Sequence, residues 1–257
     1  MRIGIIGATG WLGSALGGRL LASGHAPGDL ILLNRSGPRA DYHGYPDVVW
    51  ARDVDELAAA SDLIVLSIRP EDWAALRLHA PERLVISFMA GVGIDRLAPC
   101  GARIVRAMPN AAAEIGASYS PWVAGPCVTD ADRAAVTRLL SVIGTSDELT
   151  GESQIDLMSA VPGSGAAYPA LLALAIIGFL RDRGIAEDIA IRAAEAVVCD
   201  GARLLKGQVG QSAEMIAAYL DYQGTTAAGI HAARDAGFTE SITAALTAAT
   251  AKARHLG

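Results

Sequence analysis

Lysine is almost missing from this chain. Only Lys206 and Lys252 occur in 257 residues, and arginine supplies the rest of the 21 cationic side chains. These cations are scattered, no basic run occurs, and 27 acidic residues leave a net charge of −6. Binding of nucleic acid through phosphate neutralisation is not expected from such a surface. Cysteine is scarce too: Cys100, Cys127 and Cys199 are odd in number, far apart, and lack a CxxC pair or a flanking histidine. They read as small apolar fillers in a reducing compartment, so neither a disulfide framework nor a metal site is expected. Charged residues make up 19% of the chain against 52% hydrophobic ones, a balance that excludes disorder and low complexity.

Long apolar runs are few. The start, Met1-Arg2-Ile3-Gly4-Ile5-Ile6-Gly7, is too short for a secretory leader and passes straight into a glycine turn. The one uncharged stretch of spanning length runs from Val161 to Leu180, with Pro162, Gly163, Gly165 and Pro169 near its beginning. A regular helix from Ala166 to Leu180 would be about 22 Å long, against about 30 Å of bilayer hydrocarbon. An apolar helix too short to span is expected to be buried by other protein. A soluble, cytoplasmic protein without membrane contact is the expectation.

What is present is an alternation. Apolar runs at 3–6, 30–33, 48–50, 63–66, 84–88 and 104–108 read as strands, with a last one near 146–149. Helical stretches at 12–23, 54–60, 70–78 and 130–143 lie between or after them. Near-continuous apolar strands separated by helices imply an α/β, Rossmann-type doubly wound, mostly parallel sheet covered on both faces. After Gly151 the chain becomes Ala-rich with helical spacing, in helices at 152–160, 166–183, 187–206, 212–220, 225–236 and 239–255. Residues 1–150 are thus expected to form a dinucleotide-binding domain, and 151–257 an all-helical domain.

The turn Gly7-Ala8-Thr9-Gly10-Trp11-Leu12-Gly13 follows a strand and opens a helix. Glycines there permit a tight turn and bring backbone N–H groups close to a pyrophosphate at the helix's positive end. The end of the second strand reads Leu33-Asn34-Arg35-Ser36, where NAD-selective sites place a carboxylate. A guanidinium there can grip a 2′-phosphate, with Asn34 and Ser36 as neutral donors, so the expected cofactor is NADPH in preference to NADH. Trp11 is expected either to cover the cofactor or to pack at the helix start. Trp50, Trp73 and Trp122 are expected to pack.

Over almost its whole length the chain resembles the pyrroline-5-carboxylate reductase family. The matching segments are residues 3–7, Asn34-Arg35-Ser36, 63–70 (LIVLSIRP), 84–91 (LVISFMAG), Arg106-Ala-Met-Pro-Asn110, Gly163-Ser-Gly-Ala-Ala-Tyr168, Gly224-Thr-Thr226 and Ala236-Gly-Phe238. The resemblance implies reduction of a carboxylated cyclic imine to proline by NAD(P)H. It also implies a homodimer, or a higher oligomer, interlocked through the helical domain. By the same token Ser67, Ile68, Arg69, Pro70, Met89, Ala90, Gly91 and Asn110 would line the nicotinamide and ribose. Ser164, Gly165, Gly224, Thr225 and Thr226 would bind the imine substrate.

Three departures from the family pattern stand out. The glycine turn is one residue longer than the family's Gly-x-Gly-Asn-Met-Ala, and Ala166 replaces a proline. Asp221-Tyr222-Gln223 stands where the family has Ser-Pro-Gly, whose hydroxyl and amides hold the substrate carboxylate. An Asp facing a carboxylate is repelled, so either Asp221 turns away or the substrate is not a proline precursor.

Carbonyl reduction usually needs a proton donor, which related hydroxyacid dehydrogenases supply as a lysine on the first long helix of their second domain. No lysine lies between Gly163 and Leu180, and His25, His43, His79, His231 and His255 all fall outside the matched motifs. A protonated C=N bond is already electrophilic, so positioning can suffice. The resemblance implies Thr226 as the residue that hydrogen-bonds its nitrogen, and Asp221 is a second catalytic candidate. The alternative for Thr225 and Thr226 is a helix N-cap pair. Two other functions remain open: a reductase of this architecture acting on a different imine or carbonyl, and a non-catalytic NADPH-responsive binding protein.

Overall fold

The computed structural model describes residues 1–254. Two compact units emerge: residues 1–165 together with 246–254, and residues Ala166–Ala245. The first is built on a seven-stranded sheet in the order β3-β2-β1-β4-β5-β6-β8. Its strands are β1 (Ile3–Ile6), β2 (Leu30–Leu33), β3 (Val49–Trp50), β4 (Leu63–Leu66), β5 (Leu84–Ser87), β6 (Arg103–Ala107) and β8 (Trp122–Ala124), with β8 alone antiparallel. β7 (Ser118–Tyr119) and β9 (Gly144–Thr145) form a separate parallel pair.

Alternation along these strands makes two cores. Ile3, Ile5, Leu30, Leu32, Leu63, Val65, Leu84 and Ile86 belong to one, with Leu16 and Leu20 of α1 (Trp11–Ala22). Ile6, Ile31, Ile64, Leu66 and Val85 belong to the other, with Leu57 of α2 (Val54–Ala60). A strand buried on both faces needs apolar residues at every position; that is the pattern of β1, β2 and β4, and β5 departs from it only at the buried Ser87. Three short helices complete this half: α3 (Trp73–Leu76), α4 (Ile94–Leu97) and α5 (Asp130–Ser141).

Some expected elements differ. The helix expected over 70–78 begins as a 3-10 turn at Pro70–Asp72, and its α-helical part stops where Arg77 turns left-handed at φ +48°. The strand expected at 146–149 is β9, two residues earlier, with only a single bridge from Glu148 to Trp122. Trp122 itself is buried, as expected of a packing residue, and its neighbours make β8, which has too few residues to show alternation.

The change from sheet to helix near residue 150 and the boundary between compact units at 165 have different causes. Arg106 on β6 is buried, and its Nη1 donates to Glu152 Oε1 at 2.7 Å. The same oxygen accepts the Ile94 N–H at the start of α4, also at 2.7 Å. Arg106 Nη2 lies 3.9 Å from Asp156 on α6 (Ser153–Ala160), and Asp156 lies 3.9 Å from Arg254. A buried guanidinium without its carboxylates would be strongly destabilising, so the chain through 165 stays with the sheet.

The second unit contains α7 (Ala167–Arg181), α8 (Glu187–Glu195), α9 (Ser212–Asp221), α10 (Thr225–Asp235) and the start of α11 (Phe238–Arg254). His255, which closes the last helix expected from the sequence, lies outside the described residues. The helix expected over 187–206 leaves α geometry at Ala196–Gly201, a π-helical turn. The 153–181 stretch is apolar enough to cross a membrane by composition, but the turn at Pro162–Ser164 separates α6 from α7. Within one chain α7 has no buried residue, and Leu171, Leu172, Leu174 and Phe179 are exposed.

One ion pair ties β6 to α5. Arg103 Nε and Nη2 donate to the two oxygens of Asp132 at 2.7 and 2.9 Å, and Asp132 also completes a capping box with Thr129. Burial alone would push the Asp132 carboxyl up, but the hydrogen bonds from Arg103 and Thr129 outweigh it and hold the group at about 2. Its stabilisation is therefore complete above the ordinary value of 3.8 and is lost as pH falls toward 2. Asp132→Asn should cost about 1–2 kcal/mol in denaturant titrations at pH 7. The gap from the unsubstituted protein should narrow when the titration is repeated below pH 3.

Candidate active site

Register determines what meets at the carboxyl edge of the sheet. Ile6 pairs in line with Leu33 and Leu66, and Leu66 with Ser87. The next residue on each strand is therefore at one level: Gly7, Asn34, Ser67 and Phe88. All four line an open groove of about 1000 Å³. Strand order reverses between β1 and β4, so this groove lies at the switch point where open α/β sheets bind ligands.

The glycine turn forms one wall. Gly7 and Ala8 donate their N–H groups to the Leu33 carbonyl at 2.9 and 3.2 Å, and Gly10 donates to Gly7 at 3.0 Å. Gly7 has φ +88°, and any side chain there would run into the Ser67 carbonyl. A side chain on Gly13 would run into the carbonyl of Gly7. Gly10 caps α1 without a side-chain bond, so the first-turn N–H groups of the helix are left without intrahelical acceptors. Gly10, Trp11 and Leu12 line the groove at that point, and Trp11 is 66% exposed rather than packed inward.

The far end is rich in guanidinium groups. Arg35, Arg52 and Arg69 all line the groove. Arg35 donates to Asp72 at 3.1 Å, Arg52 to Glu56 at 3.0 Å, and Arg69 lies 3.8 Å from Glu71. Each pair is solvent-exposed and therefore weak, so an incoming anion can replace the carboxylate at small cost. Asn34 donates to Ser36 Oγ at 2.6 Å. No carboxylate follows β2. Asp53, although in the lining, is occupied as the N-cap of α2, accepting from Glu56 N–H at 2.8 Å. Ile68, Leu76 and Phe88 supply apolar walls.

Of the residues singled out in the sequence, Gly7, Gly10, Trp11, Leu12, Asn34, Arg35, Ser36, Ser67, Ile68 and Arg69 meet in this groove. Thr9, Gly13, Pro70, Met89, Ala90, Gly91 and Asn110 are not in its lining. Met89 is buried in the second core. Asn110 is committed elsewhere: its Oδ1 accepts from Ala112 N–H at 2.9 Å, and its Nδ2 donates to the Pro162 carbonyl at 2.8 Å. Through that bond it holds the turn carrying Ser164 and Gly165, where Ser164 Oγ donates to Ala160 at 2.7 Å.

Gly224, Thr225 and Thr226 belong to the second unit. Gly224 is the N-cap of α10, so the threonines occupy its first two helical positions and are not the cap pair considered as an alternative. Asp221 is the last residue of α9, next to the exposed Tyr222. His231 is exposed on α10.

Sequence reasoning missed Arg52, Asp72, Ala75, Leu76 and Phe88. Phe88 carries a usable signal, since it directly follows β5 and every parallel strand delivers its next residue to the same edge.

The crevice, its arginines and the following helices define an NAD(P)H-dependent oxidoreductase. Residues 2–91 match the family model described as NADP oxidoreductase coenzyme F420-dependent. Residues 152–256 match pyrroline-5-carboxylate reductase dimerisation. A pyrroline-5-carboxylate reductase of Synechocystis sp. is 33% identical, covering 100% of this chain and 98% of its own. One from Mycobacterium tuberculosis is 29% identical over 99% of this chain and 96% of its own length. The solved structure of a pyrroline-5-carboxylate reductase from Coxiella burnetii superposes with a TM-score of 0.88 at 25% identity, covering 100% of this chain and 98% of that one. This chain belongs to the pyrroline-5-carboxylate reductase family.

The Gly13 contact makes the groove testable without reference to chemistry. Gly13→Ala should weaken dinucleotide binding by at least about tenfold in a fluorescence titration, because the turn must open to admit the methyl group. Far-UV circular dichroism should stay unchanged.

Proposed function

We propose that this protein reduces 1-pyrroline-5-carboxylate to proline with NADPH. The observation that carries the cofactor half is the end of β2. Asn34, Arg35 and Ser36 line the groove with Arg52, and no carboxylate follows the strand to receive a ribose 2′-hydroxyl. When bound, NADPH supplies a hydride. The glycine turn and the first-turn amides of α1 would receive its pyrophosphate, and Arg35 its 2′-phosphate. Ser67 to Pro70, Met89 to Gly91 and Asn110 are assigned to the nicotinamide side.

Ser164 and Gly165, and separately Gly224, Thr225 and Thr226, are assigned to the substrate. A protonated imine brings its own electrophile, so the protein must orient it and exclude water rather than donate a proton. Thr226 Oγ1 is the group proposed to accept the iminium N–H and hold that nitrogen. This division gives residues 1–150 to the cofactor and 151–257 to substrate and assembly. The exposed Leu171, Leu172, Leu174 and Phe179 support a homodimer formed through the helical half, since apolar surface of this kind calls for a partner. Sedimentation at micromolar concentration should therefore show a dimer. A monodisperse monomer would contradict this part of the proposal.

One observation favours a second substrate. Asp221 closes α9, where the negative end of the helix makes a carboxylate unfavourable, and among the described residues it has no ion pair. A negative group kept there would attract a cationic imine without a carboxylate. Comparison of kcat/KM for pyrroline-5-carboxylate and for an uncharged-side-chain cyclic imine decides between the two. A clear preference for the carboxylated substrate supports proline formation, and the reverse assigns Asp221 to recognition.

The cofactor assignment has its own test. Arg35→Asp should weaken NADPH by roughly ten- to a hundredfold while leaving NADH nearly unaffected. Asp72→Asn removes the carboxylate that competes for Arg35 and should tighten NADPH by about two- to threefold. Equal effects on both cofactors would remove Arg35 from the 2′-phosphate site.

A further inference from the structure

The loop joining β2 to β3 does more than connect strands. Most of it is exposed, yet Tyr42 is only 2% exposed. Its ring lies in a notch on α1 made by Gly17, where any side chain would meet the phenol oxygen. The ring of Trp50 stands edge-on to it at 5.8 Å. From this seat the Tyr42 hydroxyl donates to the carbonyl of Ala8 at 3.0 Å, with the Gly13 carbonyl at 3.4 Å. Arg39 Nη2 donates to the next carbonyl, that of Thr9, at 3.3 Å. His43 Nε2 lies 3.0 Å from Ser14 Oγ on the first turns of the same helix.

These contacts reach the parts of the glycine turn that its own backbone does not satisfy. Gly7 and Ala8 donate to Leu33, and Gly10 to Gly7, but among the described residues no backbone N–H bonds the carbonyls of Ala8 and Thr9. A trans peptide carries its C=O and N–H on opposite sides. A carbonyl of Ala8 held from the core therefore turns the N–H of Thr9 outward. Burial pushes the Tyr42 phenol well above its ordinary value, so it stays a donor throughout the working pH range.

We infer that Tyr42, assisted by Arg39, is a positioning residue for the cofactor, holding the Ala8–Gly13 turn from behind in the shape that receives a pyrophosphate. This rests on the reading that the groove takes NADPH. The pyrophosphate is common to NADPH and NADH, so the brace acts on both alike. Arg35, by contrast, acts on the 2′-phosphate alone.

The test is a titration of NADPH and of NADH into the full-length protein, its Tyr42→Phe variant and its Arg39→Gln variant, with steady-state kinetics alongside. Tyr42→Phe keeps the ring in its notch and removes one donor. It should weaken both cofactors by roughly three- to tenfold, raise the cofactor KM by a similar factor, and lower kcat at saturation by less than about twofold. Arg39→Gln, at an exposed position, should weaken both by about two- to threefold. The NADPH to NADH affinity ratio should not move in either variant. A lowered melting temperature with unchanged affinities would make Tyr42 merely structural and overturn the inference, as would a changed ratio. Failure of the unsubstituted protein to bind NADPH would overturn the cofactor reading itself, and is told apart because it shows before any substitution.

Discussion

Gly7 leaves β1 with φ +88° and passes so close to the Ser67 carbonyl at the end of β4 that no side chain fits between them. Much follows from that approach. It places the turn into α1 against the neighbouring parallel strand, at the point where strand order reverses. The groove opens there because the chain leaves β1 and β4 in opposite directions. The aligned register then delivers Asn34, Ser67 and Phe88 to the same edge as Gly7. A larger residue at position 7 would not perturb one contact; it would separate two central strands that are buried on both faces.

Electrostatics in the groove follow the same economy of parts. Backbone N–H groups at the start of α1 and three guanidinium groups at the far end provide positive potential without a single lysine. The arginines are parked on exposed carboxylates, Asp72, Glu56 and Glu71, in pairs that water already weakens. Arg103–Asp132 and Arg106–Glu152 are different in kind, being partly or wholly buried and tying β6 to α5 and α6. One set is available to a ligand, and the other holds the scaffold that presents it. The shortage of lysine also bears on the chemistry, because a C=N bond protonated in solution can be reduced without a strong acid from the protein.

Much of this architecture was legible in the residues. The bounds of β1, β2, β4 and α2 agree with the apolar runs to the residue, because each run is flanked by turn or capping residues such as Gly7, Asn34 and Asp53. β7 and β8 were not legible: strands of two and three residues are created by their partners, not by a local pattern. In the groove, ten of the residues singled out beforehand came together. Arg52 and Asp72 did not stand out, since each looks like a solvated charge until the fold brings it to the groove that Arg35 lines. Met89 and Asn110, conspicuous in their motifs, also serve the fold, Met89 in packing and Asn110 in holding the turn at Pro162.

The central claim is that hydride passes from NADPH to a C=N carbon. It is tested most directly by incubating the protein with pyrroline-5-carboxylate and NADPH deuterated at both C4 positions, then examining the product by mass spectrometry. The account predicts proline carrying a single deuterium at C5. Bound NADPH that stays unoxidised, or proline formed without the label, would contradict it.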